Sequence, residues 1–85
     1  MDGVSGYLED VYRRLCKEFD GVVLRRSGRN VPHVIVTTGV STFSVCYFRR
    51  ARIFRVFSPY PSYGTAQVRE CLTDAQDVVS YIKGY

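Results

Sequence analysis

Eighty-five residues with twelve Lys or Arg, eight Asp or Glu and one His give a formal net charge of +4, a 46% apolar content and twelve aromatic rings. A chain of this size builds one domain with a modest core, and its apolar and aromatic content argues for folding over disorder. The start, Met1-Asp2-Gly3-Val4-Ser5, lacks the basic and apolar stretches of a secretion signal, and no apolar run is long enough to span a bilayer. The expectation is an intracellular, cytoplasmic protein with no membrane association.

The first element is an amphipathic helix over 5–19. Leu8, Val11, Tyr12, Leu15 and Phe19 share one helical face. Ser5 is the expected N-cap. Glu9–Arg13, Asp10–Arg14 and Arg14–Glu18 stand four residues apart on the outer face, which accounts for these arginines without any ligand. Asp20-Gly21 ends the helix.

Residues 22–57 read as β structure. A first strand covers 22–26 and a turn follows over Ser27-Gly28-Arg29-Asn30. A second strand runs from 31 to 38, with Pro32 near its start, where a missing N–H is tolerated. Gly39 turns the chain into a third strand over 41–48. Arg49-Arg50-Ala51-Arg52 contains no Gly, Pro, Asn or Asp, so it is either an unusual hairpin or a bulged continuation into 53–57. A strand over the whole of 41–57 would be exceptionally long, which favours the hairpin. The two prolines of Ser58-Pro59-Tyr60-Pro61-Ser62-Tyr63-Gly64 mark a loop.

Val68, Cys71, Leu72, Ala75, Val78, Val79 and Ile82 keep the helical period without a miss, so 65–83 reads as one long helix capped by Thr65. Its outer face would present Glu70, Asp74 and Asp77. A rival reading makes 66–72 a strand and starts the helix at Thr73, where Thr73-Asp74-Ala75-Gln76 matches a capping box. The unbroken period favours the long helix. The expected fold is α+β, a two-layer sandwich in the order α-β-β-β(-β)-α, with both helices on one face of an antiparallel sheet.

The strands alternate poorly. Val22-Val23-Leu24 and Val34-Ile35-Val36 are continuous apolar runs, so both sheet faces carry apolar side chains while the helices cover one. The other face calls for a second surface, either another copy of the chain in a homodimer or a nucleic acid stacking on exposed rings.

Charge marks where function lies. From 21 to 69 there are eight arginines and no carboxylate, whereas 1–20 and 70–85 each carry a net charge of −2. Arg25, Arg26, Arg29, Arg49, Arg50, Arg52 and Arg55 intermingle with Tyr47, Phe48, Tyr60 and Tyr63. Guanidinium forks hold phosphate and rings stack on bases, so these eleven residues are the candidate nucleic-acid-binding set, for RNA or DNA. Glu70, Asp74 and Asp77 repel phosphate, which assigns binding to the sheet and its loops. In the competing reading the rings are core and the arginines guard sheet edges. The chain would then be a protein-interaction or assembly module, such as a small accessory or viral protein, whose basic sheet meets the acidic helices of a neighbouring copy or another acidic protein surface.

Enzymatic readings have thinner support. A small ribonuclease would use His33 as general base, with Arg25 or Arg29 stabilising the phosphorane and Tyr60 or Tyr63 assisting. Two-metal chemistry needs clustered carboxylates that the acid-free centre lacks, and there is no Gly-rich phosphate loop. Cys16, Cys46 and Cys71 are widely separated, with no C-x-x-C pair, and read as three buried thiols rather than metal ligands. No cofactor and no metal is expected, and the chain reads as a binding module more readily than as an enzyme.

Overall fold

The computed structural model describes residues 6–25, 32–58 and 67–85, the strand over 67–72 by its backbone. The order is α1 (Gly6–Glu18), β1 (Gly21–Arg25), β2 (His33–Thr37), β3 (Thr42–Phe48), β4 (Ile53–Ser58), β5 (Gln67–Leu72) and α2 (Ala75–Lys83). The strands form one antiparallel sheet in sequential order from β1 to β5. The α+β class with two helices and an antiparallel sheet is as the sequence implies, but the sheet has one strand more than expected.

That strand is the main correction. The expected helix over 65–83 is β5 followed by a shorter α2 of nine residues. β5 pairs with β4, and a bulge falls where Phe54 faces Leu72 but Val56 faces Arg69. The extra residue on one strand interrupts simple alternation, which is how this stretch imitates a helical period. The rival reading located the break correctly, although the N-cap of α2 is Asp74, in extended conformation, and not Thr73. Glu70 therefore lies on a strand, separated from the acidic first turn of α2. Asp74 and Asp77 sit where the helix dipole favours negative charge.

The core lies between the helices and one sheet face. Leu8, Val11 and Leu15 of α1 and Ala75, Val78, Val79 and Ile82 of α2 pack with Val34, Val36, Phe43, Val45, Phe54 and Val56. The register pairs Val34 with Val45, Val36 with Phe43 and Val45 with Val56, so these side chains project to the same side. Of the three expected ion pairs along α1 only Asp10–Arg14 forms, at 3.2 Å. Glu18 instead meets Lys83 of α2 at 2.8 Å, and Arg14 also donates to Gln76 of α2 at 3.2 Å, so these side chains tie the two helices together.

Cys16 is exposed, off the apolar stripe of Leu8, Val11 and Leu15, and Cys46 is half-buried, which corrects the reading of all three cysteines as buried thiols. Burial pushes the Cys46 thiol above its ordinary pKa, partly offset by a hydrogen bond with Ser44. At the turn between β2 and β3 the Thr38 hydroxyl oxygen accepts from the N–H groups of Val40 and Ser41, both at 3.1 Å, and Ser41 Oγ lies 3.1 Å from Ser58 Oγ of β4. These bonds hold the turn that Gly39 makes.

Candidate nucleic-acid interface

Sequential antiparallel pairing fixes which connections meet. β1 ends, β2 begins, β3 ends and β4 begins at one end of the sheet, because Arg25 pairs with His33, His33 with Cys46 and Phe48 with Ile53. Arg25 and the Arg49–Arg52 hairpin therefore share one end of the sheet. α1 and α2 both start there as well, since Tyr7 meets Tyr47 near the end of β3 and Ala75 follows β5 just beyond Leu72. The positive ends of both helix dipoles are directed to the arginine-rich end.

The hairpin is the four-residue kind. Arg52 N–H donates to Phe48 C=O at 2.8 Å and Arg52 takes φ 57°, the left-handed conformation that closes such a loop. Glycine or asparagine is the usual occupant of that position, and an arginine there is strained by about 1–2 kcal/mol. The segment contains neither Gly nor Asn, so every loop position stays available for a long side chain.

Arg49, Arg50 and Arg52 are exposed, and among the described residues none has a carboxylate within ion-pair distance. Three cations within one four-residue loop repel one another, and bulk water reduces each contact at 4 Å to about 1 kcal/mol. A bound anion would relieve this repulsion.

The two flanks of the hairpin differ. On the helix side, Tyr47 stacks on Tyr7 with centroids 4.9 Å apart and planes at 22°, and it contacts Phe54 at 4.8 Å. Tyr47 is thus half-buried in the core margin, and the outward ring is Tyr7, 63% exposed. An open groove of about 780 Å³ lies between this ring pair and the hairpin, lined by Gly6, Tyr7, Asp10, Tyr47, Arg49 and Arg52.

The other flank belongs to the sheet face away from the helices. Here the Arg55 guanidinium carbon lies 4.8 Å from the centre of the Phe48 ring, a cation–π contact. Phe48, Ile53, Arg55 and Phe57 are partly buried on this face, Val23 is 50% exposed, and Arg25 is exposed at the sheet end. His33 is only 9% exposed, between Arg25 and Cys46 in register, so its ring is poorly placed to reach a phosphodiester.

The candidate set is therefore divided. Arg49, Arg50 and Arg52 form its centre, Tyr47 flanks it on one sheet face, Phe48 and Arg55 on the other, and Arg25 shares its end. Arg26, Arg29, Tyr60 and Tyr63 lie outside the described residues, as do the Ser27–Asn30 turn, the Ser5 and Thr65 caps and most of the proline loop. Sequence reasoning missed Tyr7 and Asp10. The available signal was Tyr7 itself, an aromatic beside the apolar stripe of α1 and not on it. Among the described residues no helix is long and apolar enough to cross a membrane, and no three His, Cys, Asp or Glu side chains gather as metal ligands do. Comparison with known proteins brings no relative to this arrangement: no protein-family model, curated protein or solved structure matches the chain.

Proposed function

We propose that this protein is a small nucleic-acid-binding module that grips phosphates with the β3–β4 hairpin. The carrying observation is the set of exposed guanidinium groups of Arg49, Arg50 and Arg52 at one sheet end, without an ion pair among the described residues, with Arg25 at the same end and aromatic rings on both flanks. Phosphate recognition uses such forks, and neighbouring rings supply the stacking that single-stranded or irregular nucleic acid offers. The carboxylates Glu9, Asp10, Asp74 and Asp77 belong to the helical layer, which disfavours a phosphate backbone along the helices and leaves the hairpin arginines as its contact.

The test is fluorescence anisotropy with labelled RNA and DNA at low salt. The expected result is micromolar or tighter binding that weakens markedly in an Arg49→Ala/Arg50→Ala variant. Arg13→Ala/Lys17→Ala, which removes two exposed charges from α1, should bind nearly as the parent does. Absence of binding at low salt, or equal losses in the two variants, would refute the reading.

A second reading has its own support. The sheet face away from the helices carries Val23, Ile35, Phe48, Ile53 and Phe57, only partly covered. Under this reading the face meets a second copy of the chain and the protein acts in assembly. Sedimentation equilibrium distinguishes the two: a dimer dispersed by Val23→Lys favours assembly through this face, and a monomer at all concentrations excludes it.

A further inference from the structure

The groove beside the hairpin has two walls of different chemistry. The hairpin wall offers the cations Arg49 and Arg52. The helix wall offers the Tyr7 ring, stacked on Tyr47 behind it, and the Asp10 carboxylate. A volume of about 780 Å³ lies in the usual range for small-ligand sites. An aliphatic anion would leave the ring unused, and a phosphate alone would meet Asp10 unfavourably. A nucleotide satisfies both walls, its phosphate on the guanidinium groups and its base on the ring.

Asp10 narrows the choice of base. Its Oδ2 accepts from Arg14 Nε at 3.2 Å, while Asp10 remains exposed and retains further acceptor capacity. Among the unmodified bases, guanine presents two adjacent donors, N1–H and N2–H, on its Watson–Crick edge, spaced to meet a carboxylate. Uracil and thymine present one N–H between two carbonyl oxygens, and those oxygens would face the carboxylate unfavourably. In a duplex the guanine edge is occupied by its partner base.

We infer that the groove takes an unpaired guanine nucleotide, base on Tyr7, Watson–Crick edge on Asp10 and phosphate on Arg49 and Arg52. This rests on the hairpin reading for the phosphate and adds to it a preference for single strands and for one base. The support behind the ring is part of the argument. Tyr47, held against Phe54 in the core margin, backs Tyr7, so a base on the outer face of Tyr7 would extend an existing stack.

The test uses short fluorescein-labelled oligothymidylates of about 10 nucleotides, with or without one central guanine, and a duplex of the guanine strand, measured by anisotropy at low salt. The guanine strand should bind about fivefold or more tighter than the all-thymidine strand, a margin of stacking and edge contact. Tyr7→Ala should abolish that margin, Tyr7→Phe should keep most of it, and Asp10→Asn should reduce it. Binding of the duplex, which offers no unpaired base to the ring or the carboxylate, should remain within about twofold in all three variants, and unchanged far-ultraviolet circular dichroism shows that they fold. Competition with guanosine monophosphate separates two sources of the same chemistry. Displacement assigns the groove to the nucleotide by itself, and an undisplaced strand with an intact margin assigns it to a nucleotide within a chain. Equal binding of the two single strands, or a margin indifferent to Tyr7→Ala, would overturn the inference and leave the hairpin reading standing. Failure of every strand to bind would overturn both.

Discussion

Arg52 offers a separation of stability from binding. Its φ of 57° places an L-residue in the left-handed region, at a cost of about 1–2 kcal/mol that glycine does not incur. Arg52→Gly removes that strain, and the greater freedom of glycine in the unfolded chain takes back about 0.5–1 kcal/mol. The side chain has no ion pair to lose among the described residues, so the net expectation is a gain of about 0.5–1 kcal/mol, or roughly 2–8 °C in Tm for a domain of this length. Arg49→Gly is the control. Among the described non-glycine residues only Arg52 has positive φ, so glycine at 49 should cost about 0.5–1 kcal/mol through entropy alone. Both variants remove one hairpin cation and should weaken nucleic-acid binding similarly. Thermal denaturation followed by circular dichroism measures the first effect and anisotropy the second. A Tm for Arg52→Gly as low as that of Arg49→Gly would refute the strain argument. A rise in Tm with undiminished binding would refute the role of Arg52 in the interface.

Two further outcomes concern the core and its margin. Leu15 is fully buried between α1 and the sheet, and Leu15→Ala should destabilise the fold by about 2–5 kcal/mol, measured by urea denaturation, a loss no surface site should match. The Cys46 thiol, its pKa raised by burial, should alkylate with iodoacetamide more slowly than exposed Cys16 at about pH 8 in peptide mapping. The sign of its pH linkage follows. A raised pKa in the folded state holds the proton more tightly than the unfolded chain does. Its contribution to stability is therefore fully present below the unfolded thiol pKa and is lost as pH rises through the folded one. Cys46→Ser should reduce that alkaline loss, and an identical alkaline profile would contradict the assignment.

What the sequence made legible was the part governed by local pattern. The stripe of Leu8, Val11 and Leu15 specified α1, and the runs around Val34–Val36 and Phe43–Val45 specified central strands. β5 was obscured because the bulge opposite Phe54 and Val56 disrupts its alternation while Val68, Cys71 and Leu72 happen to continue the period of α2. Strand pairing, a long-range effect, overrode a local pattern there. The hairpin was legible by elimination, since β3 and β4 together exceed a plausible strand length. The left-handed Arg52 was not, because residue type gave no sign of it.

The site was half legible for a similar reason. Charge segregation located the arginines, and antiparallel order then brought Arg25 to the end that carries Arg49–Arg52. Side-chain direction divided the aromatic residues. Tyr47 and Phe48 are sequence neighbours on opposite sheet faces, one stacked on Tyr7 and the other under Arg55. Tyr7 and Asp10 joined the site through the packing of α1 on the sheet, of which the one trace within α1 is an aromatic, Tyr7, beside the apolar stripe.

The most direct test of the central claim is the salt dependence of nucleic-acid affinity. If the hairpin guanidinium groups hold phosphates, the logarithm of the binding constant should fall linearly with the logarithm of salt concentration. A slope of about −2 to −3 corresponds to three or four phosphates on a single strand, and Arg49→Ala should flatten it by nearly one contact. A slope near zero, or one unchanged by Arg49→Ala, would contradict the account.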